Sequence, residues 1–322
     1  MIDQRHSRQY VWQLHYREQR YGRHLSQPEL DRRIRDIVLN LLTVSIDGIG
    51  IRTSEIAPDE IANESTIWLE KAAHMWAEME LRHGPFPAGF TRDTIHKEPL
   101  PDFASELAAK AARRLASIGI CPDDLLIKYG KRQHMESLYH SGALRIQPAT
   151  FFSDTSHNEA IKDDELNLAL AYAVSREELM TLVTNPQIPP PDAADQRLDL
   201  TLQWPSDYWL YCATRSIAAR SFVDYAADSC VIIRDRQRFT RMMQDASLEK
   251  LSGTTLQISP IEYIDPILLT APTKILPFLK HFRYTYQSEY RFCWFAPHAI
   301  PRAKHCDVEI GSLMEFAELI VL

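Results

Sequence analysis

The chain has 322 residues, 45% of them hydrophobic and 25% charged, with a formal net charge of −7 at pH 7. These values are typical of a globular protein with one large or two ordinary domains, and they exclude overall basic character. The five cysteines contain no CxxC pair, so neither a disulfide framework nor a zinc site is predicted. Because no apolar run approaches the ~20 residues of a membrane helix and no signal peptide is recognisable, we expect a cytoplasmic protein.

Residues 1–118 are predicted to be all helical, because apolar residues recur at helical spacing between glycine and proline breaks. Ser26 and Glu29 form a capping-box pattern, which predicts the start of a helix. A second helix is predicted over 65–82, and a third is expected to begin after Asp102, whose carboxylate would cap it. We find no catalytic pattern in this region.

Arginine and aromatic residues are interleaved in residues 1–36. This combination is typical of a surface that binds RNA or an acidic partner. It is also typical of a solvated amphipathic helix with extended arginine side chains, and the acids of the segment dilute its positive charge. Both interpretations stay open.

Residues 119–322 contain short strands with irregularly placed helices, which predicts an α+β domain. A strand over 125–129, a helix over 131–141 that stops at Gly142, and a strand over 143–146 form its first unit. Further strands are predicted over 208–213, 230–234 and 256–264. Short helices are predicted over 221–227 and 273–279, and residues 306–322 are expected to form strand, short helix and strand. The proline-rich segment 184–199 is expected to be a surface loop.

An acidic segment follows the first unit, with five acids between residues 148 and 166: Asp154, Glu159, Asp163, Asp164 and Glu165. One interpretation is a loop that binds a divalent ion or a substrate. The other is a solvated turn whose acids cap a helix, and the irregular spacing, unlike that of a calcium loop, favours it.

The most aromatic segment is 282–294, where every second residue except Ser288 is aromatic. Period two predicts a strand with one apolar face. Glu289 lies on the other face, and its carboxylate is costly to bury unless something pairs with it. Arg291, Arg283 or a substrate is therefore expected to pair with Glu289. In such a strand Gln287 and Glu289 would point the same way, about 7 Å apart.

Several common catalytic motifs do not occur in the sequence. It has no glycine-rich phosphate loop, no HExxH, no GxSxG and no kinase signature. P-loop NTPases, Rossmann dehydrogenases, zincins and serine hydrolases are therefore not expected.

Residues 126–322 resemble the DUF2971-like group of bacterial proteins and, in the order of their motifs, a mono-ADP-ribosyltransferase core. The similar segments are IKYG at 127–130, ESLYHSGALRIQPATFFSD at 136–154, NEAIKDDEL at 158–166, YWLYCATRS at 208–216, SFVDYAADSCVII at 221–233, FRYTYQSEYRF at 282–292 and IGSLMEFAELI at 310–320. The turn at 128–130 and the middle-strand motif at 213–216 depart from the family pattern.

The resemblance implies an ADP-ribosyltransferase-like split β-sheet core with peripheral helices, NAD as the bound dinucleotide, and no metal. It implies that Glu289 is the catalytic carboxylate, which stabilises an oxocarbenium-like ribose, and that Gln287 orients the acceptor. Tyr129 and Tyr225 would stack on nicotinamide. The remaining NAD-binding residues implied are Lys128, Gly130, Arg145 and Arg215.

The function expected from the resemblance is an NAD-dependent mono-ADP-ribosyltransferase, a toxin or phage-defence effector. Its acceptor would be a guanine base in nucleic acid rather than arginine, although a protein acceptor stays open, and an antitoxin or chaperone would be a partner. Three alternatives stay open. They are an inactive interaction module in which Glu289 pairs with Arg291, a metal-independent ribonuclease that uses His134, His140 or His157, and a scaffold that binds the helical half.

Overall fold

The computed structural model describes residues 8–51, 64–85, 98–118, 125–175, 195–268 and 270–322. Within these ranges the protein has an α+β fold, as the sequence predicted. The predicted domain boundary between residues 118 and 119 and residues 184–194 of the proline-rich segment lie outside the described residues.

The described N-terminal region consists of α1 (Arg8–Gln19), α2 (Gln27–Leu41), β1 (Leu42–Ser45), β2 (Gly48–Ile51), α3 (Glu64–His83) and α4 (Glu106–Ala116). The start predicted for α2 is confirmed, since the backbone N–H of Ser26 donates to the Glu29 carboxylate at 2.8 Å. The prediction of an all-helical region is wrong, because β1 and β2 pair as an antiparallel hairpin. The cap predicted at Asp102 is also wrong, because the Ser105 hydroxyl caps α4.

The remaining elements are β3 (Leu126–Gly130), α5 (Arg132–Ser141), β4 (Ala143–Pro148), β5 (Asn167–Ser175), β6 (Asp195–Gln203), β7 (Trp209–Thr214), α6 (Arg220–Asp224), β8 (Ser229–Ile233), α7 (Arg236–Lys250), β9 (Thr255–Pro260), β10 (Glu262–Ile264), β11 (Leu279–His281), β12 (Glu289–Phe295), β13 (Cys306–Glu309) and β14 (Ala317–Val321). The first unit, β3–α5–β4, matches its prediction. Residues 195–199, predicted as loop, belong to β6. The helix predicted over 273–279 is a single 3₁₀ turn at Leu276–Phe278.

The main sheet is antiparallel and divides around β7. One edge of β7 pairs with β12 along its whole length, and β12 pairs in turn with β9. The other edge of β7 pairs with β4 near Leu210 and with β3 at Thr214. From there the sheet continues as two branches. The first branch is β4 and β13, and the second branch is β3, β8 and β14.

Lys128 bridges the point at which the two branches diverge. Its ammonium group donates to the backbone carbonyl of Cys212 at 2.6 Å. Cys212 is in the part of β7 that pairs with neither β3 nor β4, so no ladder partner is available to its carbonyl on that edge. A backbone carbonyl shielded from water without a partner is costly, and Lys128 therefore stabilises the sheet where its two branches diverge.

Gly142 ends α5, as the sequence predicted, and it does so in the left-handed conformation. Its φ is +72°, and a Cβ atom there would lie 2.1 Å from the carbonyl oxygen of Gly311. Both the dihedral angle and the close backbone contact therefore require glycine. The backbone N–H of Ile310 donates to the Gly142 carbonyl at 3.1 Å, which joins α5 to the C-terminal segment.

The strand predicted over 282–294 is only half correct. Phe282–Gln287 forms a 3₁₀ helix, Ser288 has φ +45°, and β12 begins at Glu289. The Asn40 side chain of α2 donates to the carbonyl of Arg283 and accepts from the backbone N–H of Tyr286, both at 2.9 Å. These hydrogen bonds from a distant helix hold the segment in a conformation that its own alternating pattern does not predict.

Buried ion pairs and aromatic contacts join the N-terminal helices to the C-terminal part. Both guanidinium NH₂ groups of Arg33 in α2 donate to Asp265 at 2.8 Å, and Lys71 in α3 contacts the same carboxylate at 2.5 Å. Trp68 stacks on Phe282 with 5.7 Å between ring centroids. Among the described residues, no helix combines the length and apolar character needed to cross a membrane.

Candidate functional site

Glu289 is the first residue of β12, directly after the left-handed Ser288. It lies opposite Thr214 of β7, which in turn lies opposite Ile127 of β3. Directly opposed residues share a face of the sheet, so Tyr129, two residues after Ile127, shares that face with Glu289. Only 6% of Glu289 is exposed.

Both carboxylate oxygens of Glu289 are paired with cations. Oε1 accepts from Nε of Arg291 at 2.7 Å, and Oε2 accepts from Nζ of Lys280 at 2.9 Å. The pairing predicted with Arg291 is therefore confirmed. Arg283 does not take this role, because its guanidinium lies over the Tyr284 ring and donates to the Tyr284 hydroxyl.

Two acids of the 148–166 segment complete the cluster. The guanidinium of Arg291 also contacts Glu165, at 2.7 and 2.5 Å, and Lys280 lies 3.7 Å from Asp163. We call Asp163, Glu165, Lys280, Glu289 and Arg291 the ion network. Glu165 is 6% exposed, so at this residue the prediction of a solvated turn is wrong.

The ion network has three carboxylates and two cations, and the imbalance shapes its protonation. Burial alone would raise the pKa of Glu289, but the charges of Arg291 and Lys280 outweigh burial and hold it well below its usual range. Burial raises the pKa of Glu165 to about 7, because Arg291 and Lys280 offset it only partly and the neighbouring carboxylates add to it. One proton is therefore expected to bind the network near neutral pH.

This protonation predicts a measurable pH dependence of stability. Because the pKa of Glu165 is raised from 4.5 to about 7, the folded protein holds a proton that the unfolded chain has released between those values. Stability from this group is complete below pH 4.5 and is lost as the pH rises to 7, by about 1–3 kcal/mol. In urea unfolding at pH 5 and 7.5, Glu165→Gln should lack this loss. Parallel pH profiles for the two proteins would contradict the expectation.

Gln287 belongs to the 3₁₀ helix, yet it still meets Glu289 at a common partner. Its Oε1 accepts from Lys280 at 3.1 Å, and its Nε2 donates to the Ala160 carbonyl at 2.8 Å. Gln287 is only 3% exposed, and both the oxygen and the nitrogen of its side-chain amide are hydrogen-bonded. The predicted proximity to Glu289 therefore arises through Lys280 and not through strand geometry.

The residues predicted to bind NAD separate into two groups. Lys128, Tyr129, Gly130 and Arg145 line one groove, which runs between the two branches of the sheet. Tyr225 is outside it and stacks on Tyr129, with centroids 6.0 Å apart and planes inclined by 22°. Arg145 forms an exposed pair with Asp307. Arg215 is exposed, and its backbone N–H donates to the Ser288 carbonyl at 2.9 Å.

This arrangement does not fit NAD with Glu289 as the catalytic carboxylate. Neither Glu289 nor Gln287 lines the groove that holds the predicted cofactor-binding residues. A ring inserted between Tyr129 and Tyr225 would need about 7 Å between their centroids, which is more than the 6.0 Å present. The Tyr129 hydroxyl is also used, because it donates to the carbonyl of Ala218 and accepts from its N–H.

The three histidines of the ribonuclease alternative lie in the α5 region and in the acidic segment. His134 and His140 lie on α5, and His157 packs on Phe151 with centroids 4.4 Å apart. Within the described ranges, no group of three or more His, Cys, Asp or Glu side chains fits a metal ion.

Two residues of interest were not predicted from the sequence. Lys280 belongs to the ion network, and Tyr211 lines the groove between the two branches of the sheet. A signal for Lys280 was present, because it directly follows the apolar run ILPFL at 275–279. A lysine buried with such a run is expected to pair with an acid, since charged residues are rarely buried unless paired. Tyr211 gave no signal of its own, because it is one of six consecutive hydrophobic residues in the predicted strand at 208–213.

The sequence matches no family model, and comparison with curated proteins and with solved structures finds no match either.

Proposed function

We propose that the chain is a ligand-binding module without transferase activity, built on an ADP-ribosyltransferase-like sheet. Support for this type of sheet comes from the three strands that carry the similar motifs. β3, β7 and β12 are 70 or more residues apart in sequence, yet they are neighbours in the main sheet. The sheet also divides into two branches beside β7.

The observation that carries the proposal is the pairing of Glu289. A carboxylate that stabilises a developing charge on a substrate must face that substrate. The oxygens of Glu289 instead face Lys280 and Arg291, at hydrogen-bond distance and in a buried setting. Displacing either cation would break a buried, charge-assisted hydrogen bond, which is costly. Glu289 therefore has the geometry of a structural ion-pair residue.

A second candidate function is the NAD-dependent mono-ADP-ribosyltransferase, acting as a toxin or phage-defence effector on a nucleic acid. The observation in its favour is that Tyr129, Thr214 and Glu289 share one face of three neighbouring strands, with Tyr225 beside Tyr129. This function requires a conformation in which Glu289 leaves Lys280 or Arg291 and Tyr225 leaves Tyr129.

Labelled NAD distinguishes the two candidates. We expect the wild-type protein, incubated with NAD and a cell lysate, to transfer no label to protein or RNA and to release no nicotinamide. We also expect Glu289→Gln to lose about 3 kcal/mol of unfolding free energy, because the buried charge-assisted hydrogen bonds from Lys280 and Arg291 to this carboxylate are lost. The matched control is Glu136→Gln, which removes an exposed pair with Arg132 and should cost under about 1 kcal/mol.

One outcome would replace the proposal by the transferase. In this outcome the wild type and Glu136→Gln both transfer label, whereas Glu289→Gln does not. The comparison is made at a temperature at which all three proteins remain folded. Sensitivity of the label to ribonuclease or to protease would then identify the acceptor class.

A further inference from the structure

The groove between the two branches of the sheet has a volume of about 1060 Å³. We call it the branch groove. Lys128 of β3, Tyr211 of β7, His134 of α5 and Arg145 of β4 line it, together with the C-terminal end of α7 and with β13. A groove of this size is at the upper end of the volume range of small-molecule sites.

Tyr211 is the first sign that the branch groove holds a ligand. The residue is 4% exposed, and its hydroxyl has no hydrogen-bond partner among the described residues. Its ring is fixed between the aromatic rings of Phe239 and Phe292, with centroids 6.2 Å away from each. A buried hydroxyl without a partner is destabilising, so a molecule that completes its hydrogen bonding would be bound there.

Lys128 is the second sign. Its ammonium group lies 4.5 Å from the centroid of the Tyr211 ring. Of its three N–H donors, the hydrogen bonds of the described residues use one, on the Cys212 carbonyl. Lys128 and Tyr211 therefore bring two further ammonium donors and one phenol donor to the lining of the same groove, and together these donors suit a group with several acceptor oxygens.

We propose that the branch groove binds a small molecule through an anionic oxygen group, a phosphate or a carboxylate, held by Lys128 and Tyr211. Four acids also line the groove. Asp307 is neutralised by Arg145, whereas Asp245, Glu249 and Glu309 are exposed and therefore screened by water.

This inference deepens the proposed binding function, but it rests on the branch groove and not on Glu289. If the wild type turned over NAD and Glu289→Gln did not, the chain would be a transferase, but the proposal of a ligand site in the branch groove would stand. Failure of the site would, conversely, leave the NAD result unaffected.

Calorimetry with AMP, citrate and uncharged adenosine tests the site and separates its two ligand sources. We expect wild-type protein to bind AMP or citrate and not adenosine, with the anion that binds identifying phosphate or carboxylate. Tyr211→Phe and Lys128→Met should each weaken that binding about tenfold or more, as the loss of a hydrogen bond to a charged group predicts. Tyr290→Phe, in the neighbouring strand and outside the groove, should bind like wild type.

Stability separates a ligand site from a structural role of the same residue. Because the Tyr211 hydroxyl has no partner in the described residues, Tyr211→Phe should melt at the wild-type temperature or above. A lower melting temperature without ligand would overturn the proposal, as would failure of wild-type protein to bind AMP and citrate. Equal affinity of wild type and Tyr211→Phe would overturn it too.

Discussion

Arg291→Ala is expected to lower the free energy of unfolding by about 3–5 kcal/mol. Arg291 is fully buried and contacts Glu289, Glu165 and the carbonyl of Pro277. Its removal leaves two buried carboxylates with only Lys280 as a counter-charge. The loss is therefore dominated by uncompensated charge and not by the packing of the side chain. Urea unfolding at pH 7.5 measures it.

The matched control is Arg145→Ala in the same sheet. Arg145 also pairs with a carboxylate at 2.7 Å, that of Asp307, but its side chain is 53% exposed. Such exposed pairs contribute about 0–1 kcal/mol. If both variants lost the same amount, burial would not be the cause, and the structural role assigned to Glu289 would lose its basis.

Asp265→Ala is expected to have a comparable effect, about 3–5 kcal/mol, through the contact between α2, α3 and the segment after β10. The charges of Arg33 and Lys71 hold the pKa of Asp265 well below its usual range although burial would raise it. Without the Asp265 carboxylate, neither NH₂ group of the buried Arg33 guanidinium keeps the acceptor that it has in the wild type. Asp307→Ala, at an exposed pair, is the control.

The unfolding curve of Asp265→Ala also reports how the two parts of the chain are coupled. A single transition at lower urea concentration is expected, because Trp68 and Phe282 still stack across the same contact. Two separated transitions, seen by circular dichroism and tryptophan fluorescence, would show that the helices unfold without the sheet. A loss under 1 kcal/mol would contradict the importance of this contact.

Local signals in the sequence were sufficient for several elements. Ser26 and Glu29 located the start of α2, and Gly142 located the end of α5, because capping and left-handed glycine depend on neighbouring residues alone. The short apolar run at 208–213 located β7 in the same way. The helix α7 was not predicted.

Distant contacts explain what the sequence did not reveal. Phe282–Gln287 alternates like a strand, but Asn40, more than 240 residues earlier in the chain, fixes it as a 3₁₀ helix. Glu165 was predicted to lie in a solvated turn, because its burial depends on Arg291, which is 126 residues further along the chain. The pairing of Glu289 with Arg291 was predictable because two residues on one strand face are neighbours whatever the rest of the chain does.

The Arg33–Asp265 contact, which joins residues 232 positions apart, constrains the order of events during synthesis. The helices α2 and α3 leave the ribosome long before Ile267 and Phe282, which complete their apolar core. Until then Leu30 and Trp68 lack part of their packing, and such surfaces aggregate or recruit chaperones. The helices therefore reach their final form only after residues 265–282 have left the ribosome as well.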